Sequence, residues 1–129
     1  MKKCLVTITT VIDNRATEFT YQGEGEFSPS SAKLHYFEEN AQTQLTLSDG
    51  IVCISRKGDY TLQLFFEKGK RRKCILGING ADGEVHTETT RIAYSLSETS
   101  LLLSMHYALL AGDEPQKTKV RLFAKEIEV

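Results

Sequence analysis

A chain of 129 residues that is 40% hydrophobic and 26% charged, with only two prolines, excludes a disordered, collagenous or low-complexity protein. Sixteen basic residues stand against seventeen acidic ones, so no global field marks a nucleic-acid or membrane binder. At 14.5 kDa a compact monomer exposes roughly 6,900 Å², which leaves enough buried surface for one core without metals or disulfides. Residues 1–129 therefore read as a single domain.

Period-two alternation recurs from end to end and predicts ten strands: Cys4–Ile12, Thr17–Phe27, Ala32–Glu39, Thr43–Leu47, Gly50–Lys57, Tyr60–Phe66, Arg71–Ile78, Glu84–Leu96, Leu101–Leu110 and Thr118–Ile127. Turn signals separate them, among them Asp13-Asn14, Ser28-Pro29, Glu39-Asn40, Asp49-Gly50, Gly58-Asp59, Lys68-Gly69, Asn79-Gly80 and Gly112-Asp113. Short strands at regular spacing predict an all-β meander closed into a single antiparallel up-and-down barrel of about eight to ten strands. Two segments compete with that pattern. Ser28-Pro29 is a fair helix start, with serine as cap and proline in the first turn. Leu101–Ala111 is rich in helix-forming leucine, methionine and alanine. The second is read as a strand, because an antiparallel strand most simply joins its two neighbours.

Cys4, Cys53 and Cys74 are odd in number and widely spaced, which suits neither a disulfide framework nor a metal site. Lys2-Lys3 precedes an apolar stretch, yet Thr7, Thr9 and Thr10 interrupt it and no small-residue cleavage site follows. No run approaches the roughly 18 apolar residues of a membrane span. The expectation is a soluble cytoplasmic protein with reduced thiols and no cofactor.

The chain resembles the YwiB-like bacterial family of unknown function from about Leu34 to Ile127. The residues that carry the resemblance are Tyr36 with Glu38-Glu39, then Arg56-Lys57-Gly58 followed by Phe66 and Gly69, then Gly83 followed by Thr89, and Tyr107 followed by Gly112-Asp113. Where the family carries an aromatic residue shortly before the glycine, this chain has Ile78. The resemblance implies a calycin-like (lipocalin-like) β-barrel. It implies no activity, since the family is itself uncharacterised.

Strand parity names the interior independently of the family. Val52 and Ile54 share a face with Arg56; Leu62 and Leu64 share theirs with Tyr60 and Phe66. Leu34 brings Tyr36 and Glu38, and Leu103 with Met105 brings Tyr107. In Glu84–Leu96, Val85 and Ala93 would bring Thr87, Thr89 and Arg91, whereas Ile92 and Tyr94 would bring His86, Glu88 and Thr90. The first face agrees with Thr89 in the family pattern and is preferred. Tyr36, Arg56, Tyr60, Phe66, Thr89, Arg91 and Tyr107 are thus the candidate ligand-binding residues. Arg56 would offer a fork of donors to a carboxylate or phosphate, with tyrosine and threonine hydroxyls orienting it. Against this, Arg56 could close one barrel end by pairing with Glu38 and backbone carbonyls. Lipocalin-like barrels pack such an arginine on a tryptophan, and this chain has none.

The remaining signals favour bland readings. Lys68-Gly69-Lys70-Arg71-Arg72-Lys73 is a basic hairpin tip whose neighbouring Phe65 and Phe66 do not interleave with it on one face, so no nucleic-acid partner is expected. Parity sends His35, His86 and His106 outward on separate strands, away from any common metal site. Glu38 and Glu39 are adjacent and point opposite ways, so they make no acid/base pair, and no catalytic constellation emerges. The leading expectation is a small-molecule binding barrel for an amphipathic or anionic ligand. A filled barrel acting as an interaction module is the alternative, with an enzyme carrying a barrel-mouth site behind both. Oligomeric state is left open.

Overall fold

A computed structural model describes residues 1–127. Among the described residues ten strands follow one another without a helix: β1 Lys2–Ile12, β2 Arg15–Phe27, β3 Ser31–Glu38, β4 Ala41–Ser48, β5 Ile51–Lys57, β6 Tyr60–Phe66, β7 Arg71–Ile78, β8 Ala81–Leu96, β9 Ser100–Leu110 and β10 Gln116–Glu126. Each pairs antiparallel with its chain neighbour, and β1 pairs with β10 to close the barrel. The turns follow from residues that tolerate a left-handed backbone. Asp13-Asn14, Asp49-Gly50 and Asn79-Gly80 all take positive φ at both central positions, the two-residue geometry whose twist matches a hairpin.

Ser28-Pro29 starts no helix. The Ser28 hydroxyl accepts the Ser31 amide at 3.1 Å, and Ser28 N–H donates to the Ser31 carbonyl at 2.9 Å, which turns β2 into β3. Ser97 does the same between β8 and β9, with its amide on the Ser100 carbonyl at 3.0 Å. Leu101–Leu110 is strand, because pairing with β8 and β10 on its two sides outweighs its helix propensity.

Alternation puts the apolar residues inside. In β4, Ala41, Thr43, Leu45 and Leu47 are buried while Gln42, Gln44, Thr46 and Ser48 face solvent. One contiguous cluster, including Val6, Leu34, Leu45, Val52, Phe66, Leu103, Met105 and Leu122, fills the interior. Strand β2 contributes glycines there instead. A Cβ on Gly23 would lie within 2.4 Å of the His35 carbonyl oxygen, and one on Gly25 within 2.5 Å of the Phe27 ring. The glycines let β2 cross β3 closely and let Phe27 fold back over its own strand.

The described residues expose 8306 Å², more than the roughly 6,900 Å² of a compact globule this size. Two strands outrun their partners. Strand β2 pairs with β3 only over Gly23–Phe27, leaving one edge of Arg15–Gln22 without a ladder. Strand β8 pairs with β7 only up to Glu88.

Strand β8 also corrects the parity reading. The register shifts between Thr89 and Arg91, so Thr89 faces Tyr107, Arg91 faces His106 and Ile92 faces Met105. One extra residue, Thr90, sits in the bulge, and Thr90 and Arg91 are both exposed. Val85, Thr87 and Thr89 are buried before the bulge, and Ile92 and Leu96 pack against the core after it. Each of the two competing faces is right for half of the strand. Arg91 is not an interior residue.

Candidate functional site

Two groups of the candidate residues lie at opposite ends of β6. Tyr60 begins that strand and Phe66 ends it, a separation of about 20 Å at ~3.3 Å per residue. Buried or half-buried Ile54, Leu62 and Leu64 occupy the space between. The seven residues therefore do not line one cavity.

At the Phe66 end, the Phe66 and Tyr107 rings meet at 4.6 Å between centroids, tilted by 57°. Thr89 faces Tyr107 across the sheet, and its buried hydroxyl has no partner among the described residues. Its backbone is held by the β6–β7 tip: Gly69 N–H donates to the Thr89 carbonyl at 2.8 Å, and Thr89 N–H donates to Lys70 at 3.3 Å. Gly69 takes φ of 76° to make this turn. Nearby, β6 and β7 part company after Gln63, and side chains replace the missing ladder. The Phe65 amide donates to Cys74 Sγ at 3.3 Å, and the Thr87 hydroxyl donates to the Phe65 carbonyl. Phe66, Thr87 and Thr89 are buried at this end.

The other end is a mouth formed by the β3–β4 and β5–β6 turns and the free half of β2. Arg56 Nε donates to Glu38 Oε2 at 3.1 Å, and its Nη1 reaches Asp59 Oδ1 and the Tyr60 carbonyl, each at 3.4 Å. Its guanidinium lies 4.1 Å above the centroid of the Tyr60 ring. Tyr60 thus supplies an aromatic face for the guanidinium. Burial works against the Arg56 charge, but the Glu38 bond and its other partners outweigh it and raise the pKa. Gly58 makes this packing fit, since a Cβ there would approach Ala41 Cβ and the Asn40 carbonyl oxygen to 2.9 Å. With Glu38 and Asp59 both engaged, the cluster carries one more negative charge than positive.

Two residues that sequence reasoning missed complete this mouth. Phe19 and Tyr21 occupy inward positions of β2, opposite Ile8 and Val6 of β1. The Tyr21 ring stacks on Tyr36 at 5.4 Å and 18°, and Phe19 stacks on Tyr21 at 6.1 Å and 17°. The three rings form a stair from the barrel wall out to solvent, where Phe19 is 56% exposed. Burial, then the Glu38 carboxylate, raise the pKa of both Tyr21 and Tyr36. Odd-position aromatics in β2 were the available signal, but sequence could not tell that β3 leaves them uncovered. Ile78 pairs with Tyr60 at the same rim and is 49% exposed.

In the basic tip, Arg72 pairs with Glu67 at 2.7 Å, Lys73 with Glu84 at 3.3 Å and Arg71 with Glu88 at 3.7 Å. His35, His86 and His106 lie on the outer wall, at positions facing Gln44, Lys73 and Lys119. Burial, with Glu24 adding to it, pushes the Cys4 thiol up to about 11, and burial raises Cys53, so neither is a poised nucleophile.

Residues 6–122 match the family described as a domain of unknown function, DUF1934. The chain belongs to this family. Among solved structures, the crystal structure of the ywiB protein from Bacillus subtilis superposes with a TM-score of 0.86 at 19% identity, covering 98% of this chain and 93% of that one. The likeness establishes the fold shared by the two proteins. No curated protein matches the chain.

Proposed function

We propose that this family member is a soluble binding protein that takes a small amphipathic molecule, carrying a neutral or cationic ring, at the mouth beside β2. The observation that carries the reading is the stair of Phe19, Tyr21 and Tyr36, with its outermost ring exposed on an inward-facing position. A ring placed on Phe19 would extend the stack, gaining about 0.5–1.5 kcal/mol beyond area burial. The surplus negative charge around Arg56 disfavours the anionic ligand that an unpaired arginine would suggest. The apolar-in, polar-out alternation of strands such as β4 is the inverse of a membrane barrel and supports the soluble reading.

The test uses the chain's own chromophores, since it has five tyrosines and no tryptophan. Native mass spectrometry of protein isolated from its host should give an excess mass that is lost on denaturation. Re-adding the released molecule should quench tyrosine fluorescence. Phe19→Ala should weaken that binding about tenfold or more while leaving the unfolding midpoint nearly unchanged. A bare mass that stays bare after incubation with metabolite extract, or binding indifferent to Phe19→Ala, would sink the reading.

A second reading rests on the unpaired edge of Arg15–Gln22, which can accept a strand from a second copy of the chain. An antiparallel register centred on Phe19 places Glu18 against Thr20 and Ala16 against Gln22, so no like charges oppose. Sedimentation would then give a dimer that Phe19→Lys dissociates, and a monomer at all concentrations would exclude it.

A further inference from the structure

A depression lies on the outer wall of the barrel, away from the mouth. It has a volume of about 580 Å³ and crosses β8, β9, β10 and the β1–β2 turn, a size within the usual range of small-molecule sites. Half-buried Val11 and Ala108 give it an apolar lining. Lys117 and Lys119 flank it on β10, in register with Ala108 and His106. Neither ammonium pairs with a carboxylate among the described residues, whereas the Glu88 carboxylate in the same groove is engaged by Arg71 at 3.7 Å. Asp13 is the other carboxylate at the groove, so the two lysines outweigh it.

The bulge in β8 shapes one side of this groove. It turns Thr90 outward and anchors its hydroxyl on the His106 carbonyl at 3.2 Å. A bulge bends the strand that carries it and re-aims side chains, which is why bulges recur beside binding sites. The small side chain of Ala108, between Glu88 and Lys117 in the register, keeps the depression open.

We propose that this groove binds a small organic anion, a carboxylate or phosphate monoester borne on an apolar body. The ammonium groups of Lys117 and Lys119 hold the anionic end by charge-assisted hydrogen bonds, and the body lies against Val11 and Ala108. The site is independent of the mouth, and it uses an excess of positive charge that the mouth lacks.

The experiment is a pair of NMR titrations at low salt, one with benzoate and one with phenyl phosphate, following the backbone amides of His106, Ala108 and Lys119. Saturable shifts at these positions are expected for at least one probe, and the better probe identifies the anionic group. Lys117→Gln with Lys119→Gln should weaken binding about tenfold or more, and Ala108→Leu should block it without altering charge. Phe19→Ala, which strips the mouth, should leave the titration unchanged. The inference is overturned by shifts that never saturate with either probe, by shifts that map to Phe19 and Tyr21, or by wild-type affinity in the double lysine variant. Matching spectra of the free variants would establish that each retains the barrel.

Discussion

The Arg56 guanidinium lies over the Tyr60 ring at 4.1 Å while its Nε bonds Glu38 at 3.1 Å. Three strands, β3, β5 and β6, are tied together by this one side chain at the barrel mouth. The side chains of Arg56 and Glu38 are only 18% and 28% exposed, so the pair is screened less than a surface salt bridge. Arg56→Met is expected to cost about 1–3 kcal/mol, because Glu38 is left half-buried without its donor. Arg56→Lys should recover only part of this, lacking the planar fork and the ring contact. Urea midpoints of the two variants check the order.

The orphaned hydroxyl of Thr89 gives a test with the opposite sign. Thr89→Val removes a buried polar atom that has no partner among the described residues and keeps the shape, so it should leave stability unchanged or raise it by ~0–1 kcal/mol. A lowered urea midpoint in that variant would mean that the hydroxyl is satisfied in solution.

Deleting Thr90 would close the bulge into an unbroken ladder, with Thr89, Arg91 and Ile92 still opposite Tyr107, His106 and Met105. Ile92 and Leu96 would keep their inward positions, because the deletion removes the one residue without a partner on β9. The variant is expected to retain a sharp thermal transition. Loss of that transition would mean that the bend at Thr90 is itself required by the fold.

Gly23→Ala should destabilise by about 3 kcal/mol or more, since the new methyl meets the His35 carbonyl and Tyr36. Gly112→Ala provides the control, because a Cβ there meets nothing within 4 Å. Comparable unfolding midpoints for the two would contradict the close crossing of β2 over β3.

Alkaline pH should unfold the chain in a defined direction. Burial raises the thiol of Cys4 to about 11 and raises the phenols of Tyr21, Tyr36 and Tyr107. Each group holds its proton more tightly folded than unfolded, so its contribution is complete below the ordinary values of 9.0 for thiol and 10.0 for phenol. That contribution is lost as pH rises past those values through the folded ones. Urea midpoints should therefore hold steady below about pH 9 and fall above it. Phenolate absorbance should lag in the folded state, and a midpoint that rises with pH in this range would refute the assignment.

Much of the fold was legible in the residues alone. Alternation in Ala41–Ser48 or Ser100–Leu110 reports which side chains meet the core, since a strand has only two faces. Asp13-Asn14, Asp49-Gly50 and Asn79-Gly80 fix hairpins because few other residues accept positive φ. The inward positions of Tyr36, Arg56, Tyr60, Phe66, Thr89 and Tyr107 follow from the same rule. Parity failed at Arg91, because one inserted residue reverses the faces without changing the local pattern.

What the sequence by itself determined was the set of strands, their order and most of their inward faces, because these depend on period and on local backbone preference. Tertiary structure alone decided which inward residues meet. The stagger between strands sends Tyr60 and Phe66 to opposite ends of the barrel, leaves the Phe19–Tyr21 half of β2 uncovered, and gives Arg56 to Glu38 and Asp59. Stagger is a property of pairing between strands distant in the chain, and the pattern within each strand carries no record of it.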